Sequence, residues 1–569
     1  MTVVLRGLAA APGIGIGVLA LYHPGQIVPD LSRHPAGHPD QEWQRFLEAH
    51  ALVAADLERL GQSDNSLIAE IFAAHQVILQ DRTLLDSIRT VIYDQKTSAV
   101  AATQQVIGEL AEMFHSFEDE YFAGRAQDIL DIGERLLTHL GADLSRAALS
   151  RLPPQTILAA DDLTPSDLAQ LPAGHVLGIA LAYSTPTAHS AILARSMGIP
   201  MVCALGQALF RLTPGQNAIV DGNSGRLLAA VSEEEMTQYA AERQHYLEEG
   251  AVALSHAQAP AVTVDGVTVP VLVNANSPQE VAQSRAVGAD GVGLLRTEYL
   301  FRGRATPPTF AEQQATYAAF MAQVDHQLTV RALDAGGDKP VPFIAHHRED
   351  NPFLGLRGIR LLIEQPELLR TQYRALQAAA CDAPPHLDVR FMLPMISTAE
   401  EIVAVQAILD EEDPCLLQGK ELPRLKLGIM IEVPSAALIA HRLAPYVDFF
   451  SIGTNDLAQY VLASDRTNST VARLADPLHP AVLRLIKLTC DAGQAFGKPV
   501  SLCGEIAGDP AAVPLLLGLG VTELSVPLPA APLVKETVRH VDLSSCRALA
   551  EAALECDCAA AVRELLAQP

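Results

Sequence analysis

Residues 425–456 read LKLGIMIEVPSAALIAHRLAPYVDFFSIGTND. One β-rich run ends on Glu432, a helical segment follows, and a second β-rich run gives way to Asn455 and Asp456. A strand, a helix and a strand with an acid just past each strand end is the repeat unit of a parallel barrel, whose chemistry gathers at the strands' C-terminal ends. Working outward, the same alternation recurs, with β-rich runs at 267–274, 291–295, 328–334, 387–395, 425–433, 448–454, 499–504 and 521–526. Eight such units predict a (β/α)8 TIM barrel over residues 260–569. The polar residues at or past the run ends include Asn274, Arg296, Asp334, Glu432, Asn455 with Asp456, and Cys503 before Glu505. A rim rich in cations and carboxylates suits an anionic substrate together with a hard divalent ion.

Upstream of the barrel the texture differs. Residues 1–20 read as strand, turn, strand, with the Gly13-x-Gly15-x-Gly17 cluster taken as a tight turn, because its spacing is not that of a dinucleotide fingerprint. Residues 41–140 carry helical periodicity that ends near Gly141, and short strand-like runs return at 156–159 and 175–180. The simplest topology is an α/β domain of residues 1–20 and 145–228, interrupted by a helical subdomain at 21–144. A charged linker helix follows at 229–259, helical in pattern up to Gly250. The expected class is therefore α/β multidomain.

Forty Lys and Arg against 66 Asp and Glu give a net charge of −26, a field that repels nucleic acid and anionic lipid. Apolar residues at 49% and charged residues at 19% supply ample core. Eight scattered cysteines with no Cys-x-x-Cys pair read as free thiols of a reducing cytosol. Pro12 and the neighbouring glycines break the apolar run after Arg6, so it is not read as a secretory signal, and no window reaches the length of a membrane span. A cytoplasmic protein without membrane insertion is expected.

Arg296, Arg331, Arg357 and Arg466 lie near strand ends or barrel loops, and planar guanidinium forks match carboxylate and phosphate oxygens. Each could equally serve a loop salt bridge. Glu432 and Asp456 could ligate Mg²⁺ or simply cap helices. Cys503 is placed for general acid or nucleophilic work, or is a plain buried thiol. Thr185-Pro186 before His189 and Gly198 after it bracket a short helix that begins within a turn of the imidazole, which either cradles a phosphoryl group or presents an idle helix-face histidine.

Several strings recur in a known family: Asp162-Leu-Thr-Pro-Ser166, His189 with Ala191-Ile-Leu-Ala-Arg-Ser196, Gly288-Ala-Asp-Gly-Val-Gly-Leu-Leu-Arg-Thr-Glu298, Gly336-Gly-Asp-Lys339, Asn351-Pro-Phe-Leu-Gly355, Phe449-Phe-Ser-Ile-Gly-Thr-Asn-Asp-Leu457 and Cys503-Gly-Glu505. On these the sequence resembles Enzyme I of the phosphoenolpyruvate-dependent sugar phosphotransferase system. The resemblance implies a swivelling phosphohistidine domain, a helical subdomain that docks the phosphocarrier protein HPr, and a barrel that binds phosphoenolpyruvate, releases pyruvate and forms a homodimer. It makes His189 the phosphoryl carrier and Thr164 its support. Arg296, Arg331, Arg357, Asn455, Asp456 and Arg466 become substrate residues, Glu432 and Asp456 the Mg²⁺ ligands, and Cys503 the proton donor. Two departures stand out. Ser184-Thr-Pro-Thr-Ala-His189 replaces the usual Gly-Gly-x-Thr-Ser-His, stiffening the loop, and Asp81-Arg82-Thr83 occupies a place where relatives are acidic. Two alternatives stay open: a pyruvate-phosphate dikinase-like enzyme lacking its nucleotide domain, and a non-catalytic regulator read by its phosphorylation state. No additional sensory domain is expected at the N-terminus.

Overall fold

The computed structural model describes the chain except for residues 1, 23–36, 62–71, 73–74, 117–119, 142–148, 150–151, 165–166, 169, 187, 302–303, 338, 340, 342, 345–348, 412–423, 467, 469 and 569. The chain divides into two compact units, Met1–Tyr246 with Thr467–Thr470, and Leu247–Arg466 with Val471–Pro569.

In the first unit β1 (Val3–Arg6), β2 (Leu8–Ala11), β3 (Ile14–Tyr22), β4 (Thr156–Ala160), β5 (Val176–Leu181), β6 (Met201–Cys203), β7 (Asn217–Asp221) and β8 (Arg226–Ala229) form one sheet in the order β1-β8-β7-β3-β4-β5-β6-β2. β3 to β6 run parallel, and the flanking pairings are antiparallel. Between β3 and β4 the chain makes the helices α1 (Pro39–Gly61), α2 (Arg82–Gln95), α3 (Ala99–Ser116) and α4 (Glu120–His139). Phe46, Val53, Leu57, Ile88, Val100 and Leu136 fall on the inward faces of these helices and build a separate apolar core. The inserted helices thus have an apolar core of their own within the first unit.

The first twenty residues hold three strands where two are expected. β1 and β2 leave Gly7 for opposite edges of the sheet, and the glycine cluster is a turn only at Gly13, where φ is +113°. Gly15 and Gly17 are strand residues. A Cβ on them would lie 2.0 Å from Leu177 O and 2.2 Å from Gln155 O, so they are glycines because neighbouring backbone passes too close for any side chain. β3 also runs two residues beyond the expected boundary at 20. The helix α5 (His189–Ser196) precedes β6, and α6 (Glu233–Ser255) follows β8. α6 continues through Gly250, contrary to the expected stop. Nothing lies within 4 Å of a Cβ there and the residue keeps a helical φ, so this glycine costs the helix roughly 1 kcal/mol without ending it.

In the second unit β9 (Val271–Ala275), β10 (Val292–Leu295), β11 (Gln327–Arg331), β12 (Asp388–Leu393), β13 (Lys426–Ile431), β14 (Phe449–Ile452), β15 (Val500–Leu502) and β16 (Glu523–Pro527) close into a parallel barrel. All eight overlap the expected β-rich runs, with β9, β11 and β16 each reaching one residue beyond its run. Their residues are almost all buried on both faces, which is why they read as continuous apolar runs rather than alternating ones. Capping boxes at Thr309 with Glu312 and at Thr398 with Glu401 start two of the outer helices. Inside the barrel Arg390 pairs with Glu523 at 3.0 Å and stacks over Phe449, bridging β12, β16 and β14.

Candidate active site

The expected barrel residues lie at strand ends or in the loops and helix turns that follow them, and the structure gathers Arg331, Asp334, Arg357, Asp456 and Arg466 into one charge cluster. Arg331, last in β11, reaches Glu298 at 2.6 Å and Asp334 at 3.4 Å. Asp334 is fully buried and accepts both Arg357 Nε and Arg357 Nη2 at 3.0 Å, with Lys339 Nζ at 2.5 Å. Arg357 also reaches Asp456 Oδ2 at 3.5 Å, and Arg466 approaches Asp456 Oδ1 at the same distance. The chain can bring Arg357 this close because Gly336 and Gly337 take φ of +94° and +55°. A Cβ on Gly336 would sit 2.1 Å from Leu356 O. Burial alone would raise the Asp334 carboxyl, but Lys339, Arg357 and Arg331 outweigh it and hold the group well below the usual carboxylate range. Asp456 is held at about 2 in the same way, burial being outweighed chiefly by Arg466 and Arg357.

Glu432, directly after β13, is buried, and its Oε1 accepts the Met395 N–H at 2.6 Å. Its Oε2 has no hydrogen-bond partner among the described residues, and neither has Asp456 Oδ1. Burial and the Asp456 charge push the Glu432 carboxyl up to about 7. Two buried carboxylates with oxygens left over fit a hard divalent cation. Among the described residues no cluster of three or more His, Cys, Asp or Glu side chains is placed to hold a metal, so water and substrate oxygens would complete the shell of an ion held by these two.

Asp456 and Asn455 lie in the first turn of the helix Thr454–Leu462, and Asn455 Oδ1 accepts the Glu505 N–H at 3.2 Å. Gly504 permits that approach, since a Cβ there would be 1.7 Å from Thr454 Oγ1. Cys503 follows β15, is 4% exposed, and sits among Leu294, Met392, Met430 and Phe449. Burial pushes its thiol up, which keeps the proton on sulfur near neutral pH. Arg296 stands apart from the acids. It is half-buried, and its Nη1 donates to Asn276 Oδ1 at 3.2 Å.

In the first unit His189 is the opening residue of α5, with Ala188 at the N-cap making no side-chain cap bond. The histidine side chain and Thr187 lie outside the described part of the chain. Thr164 is buried, and its N–H and Oγ1 both donate to Asp167 Oδ2 at 2.9 Å. The Ser184 hydroxyl lies 3.1 Å from Ser190 Oγ, and both hydroxyls bond Asp162. The seven cysteines among the described residues are free thiols, and Cys415 lies outside them.

Three family models match the chain. The PEP-utilising enzyme mobile domain matches residues 152–225, the N-terminal domain 6–125, and the PEP-binding domain 251–543. A phosphoenolpyruvate-protein phosphotransferase of Geobacillus stearothermophilus is 39% identical over 92% of this chain and 90% of its own. The chain belongs to the PEP-utilising enzymes. Multiphosphoryl transfer proteins of Xanthomonas campestris pv. campestris and Rhodobacter capsulatus are 42% and 38% identical over 99% of the chain, which spans 66% and 67% of their lengths. In this PEP-utilising enzyme the rim contains residues to which sequence reading gave no role. Glu298 ties Arg331 from the neighbouring strand end, Lys339 completes the cation ring around Asp334, and Ser451 contacts Cys503. Glu298 and Lys339 stood inside quoted motifs, but only the barrel closure makes them neighbours of the arginines.

Proposed function

We propose that the chain is a phosphoenolpyruvate-protein phosphotransferase that moves the phosphoryl group of phosphoenolpyruvate to His189, releases pyruvate, and hands the group to the phosphocarrier HPr. The observation that carries this reading is the buried charge cluster at the barrel mouth, where Arg331, Arg357, Arg466 and Lys339 converge on Asp334 and Asp456, with Arg331 also touching Met430, against which the Cys503 thiol packs. The named relatives support it.

Arg296, Arg331, Arg357, Asn455, Asp456 and Arg466 bind the substrate, the guanidinium groups matching its carboxylate and phosphate oxygens. The four pairings of Asp334 with Arg331, Lys339 and the two Arg357 nitrogens fix those cations before substrate arrives, so little reorganisation is needed in the transition state. Glu432 and Asp456 hold Mg²⁺, which when bound neutralises charge on the moving phosphoryl group. His189 nitrogen forms the new bond to phosphorus as the phosphorus–enol oxygen bond breaks, with Thr164, itself held by Asp167, supporting the imidazole. The enolate left in the barrel takes the Cys503 proton at its methylene carbon and becomes pyruvate.

Residues 1–20 with 145–228 form the swivelling domain, 21–144 the carrier-docking subdomain, 229–259 the linker and 260–569 the dimerising barrel. On the docking subdomain Asp81 caps α2 by accepting the Thr83 N–H at 2.7 Å, and Arg82, Asp86 and Glu109 line a shallow groove beside it. The carrier that fits carries both signs of charge. No helix among the described residues is long and apolar enough to cross a membrane, and the reaction belongs in the cytoplasm. Exchange of labelled pyruvate into phosphoenolpyruvate tests the reading: it requires Mg²⁺ and disappears in His189→Ala. Exchange that persists in His189→Ala overturns it.

A further inference from the structure

We propose that Ser451 is the positioning residue for Cys503, holding the thiol for proton delivery and stabilising the thiolate that delivery leaves behind. The inference rests on the proposed role of Cys503 as proton donor to the enolate.

Ser451 belongs to β14 and has no exposed surface. It pairs in register with Ser501 of β15, so its side chain enters the barrel beside the residue that follows that strand. Its Oγ donates to Cys503 Sγ at 3.4 Å, while Cys503 Sγ donates to the Ile452 carbonyl at 3.5 Å. The sulfur therefore sits between one acceptor for its own proton and one donor to its lone pair. A second set of contacts fixes the backbone of the same residue. Asn274 Nδ2 donates to the Cys503 carbonyl at 3.0 Å, and Ser525 Oγ donates to Asn274 Oδ1 at 2.7 Å. Cys503 N–H donates to Ile452 O at 3.0 Å.

The need for a donor follows from the surroundings. When the S–H bond breaks, the proton forms the new C–H bond at the enolate's methylene carbon, the enolate oxygen becomes the carbonyl oxygen, and sulfur keeps the bonding electron pair. That charge arises among Leu294, Met392, Met430 and Phe449, which cannot solvate it. The Ile452 carbonyl, an acceptor, repels it. Ser451 is the hydroxyl already aimed at the sulfur, and a hydrogen bond to a charged group is stronger than one to a neutral group. Arg331 and Arg296 add longer-range attraction, and Glu432 opposes it. A merely structural serine, bonding sulfur only to satisfy its own buried hydroxyl, would give none of this selectivity for the proton step.

The test compares two rates on the full-length protein. One is single-turnover transfer of label from phosphoenolpyruvate to the protein. The other is exchange of pyruvate methyl hydrogens with D₂O, followed by NMR in the presence of Mg²⁺ and inorganic phosphate. Ser451→Ala is expected to lower the exchange rate relative to the transfer rate by about tenfold or more. Ser451→Thr, which keeps the hydroxyl, recovers most of that ratio. Should Ser451→Ala melt early, Ser451→Cys keeps the volume with a weak donor and carries the same expectation. An unchanged ratio, or an equal fall in both rates, overturns the proposal. Undiminished exchange in Cys503→Ala overturns the role of the thiol itself, and the proposal with it, while label transfer to His189 stands as a separate result.

Discussion

Asp334→Asn is an isosteric change at the centre of the rim, and the structure sets its cost. Asp334 is fully buried with three cations on it, Arg357 through two nitrogens, Lys339 and Arg331. Removing the carboxylate charge leaves those cations facing an amide that can accept through one oxygen only. Breaking a buried, hydrogen-bonded ion pair in this way costs about 3–5 kcal/mol. For a unit of about 320 residues, whose unfolding entropy is about 2.1 cal/mol/K per residue, that is a fall in melting temperature of roughly 4–8 °C. The single tryptophan, Trp43, lies in α1 of the helical subdomain, so its fluorescence follows that subdomain and far-ultraviolet circular dichroism is needed for the barrel. The barrel transition shifts and the Trp43 transition does not. The pH dependence has a definite sign. A carboxyl held well below its unfolded value contributes stability that is fully present above about pH 4, and that is lost as pH falls through the folded value. The gap between wild type and Asp334→Asn therefore narrows below about pH 4, and between about pH 5 and 8 it also shrinks towards alkaline pH, because the Asp334 charge helps to push Glu432 up and ionised Glu432 is penalised less in the variant. A variant as stable as wild type at pH 7, or a gap that widens below about pH 4, refutes the reasoning.

Three further outcomes follow from the same rim. Gly504→Ala places a methyl group 1.7 Å from Thr454 Oγ1, a clash worth about 1–3 kcal/mol, and it displaces the helix turn carrying Asn455 and Asp456. Chemical denaturation should show that loss together with a raised KM for phosphoenolpyruvate. Chelation of divalent ions should stop label transfer, with Mg²⁺ restoring it. Glu432→Gln should raise the Mg²⁺ concentration for half-maximal transfer at least about tenfold, the lower end of what even outer-shell partners contribute.

The barrel was legible because β-branched and aliphatic runs such as 425–433 and 448–454 are separated by helical segments, and parallel strands buried on both faces need no alternation. The glycines of β3 were not legible. Gly15 and Gly17 look like turn residues locally, and their reason is the backbone of Leu177 and Gln155, some 140–160 residues away in sequence and visible only once the sheet is formed. Gly250 misled for the opposite reason: an exposed helix tolerates a glycine that nothing crowds. At the site, Asp334, Glu432, Asp456 and Cys503 could be placed on the barrel rim because the strand-end rule assigns them a position before any contact is known. Ser451 could not, because it lies within a strand and its partner is set by the pairing of β14 with β15. Arg357 was placed by motif alone, and its fork on Asp334 depends on the left-handed turn at Gly336 and Gly337.

The central claim is that His189 carries the phosphoryl group of phosphoenolpyruvate. Incubating the purified protein with labelled phosphoenolpyruvate and Mg²⁺, then adding HPr, tests it directly. The account predicts label on the protein that is acid-labile, absent in His189→Ala, and chased onto the carrier. A folded wild-type protein that takes up no label, or label that survives in His189→Ala, contradicts it.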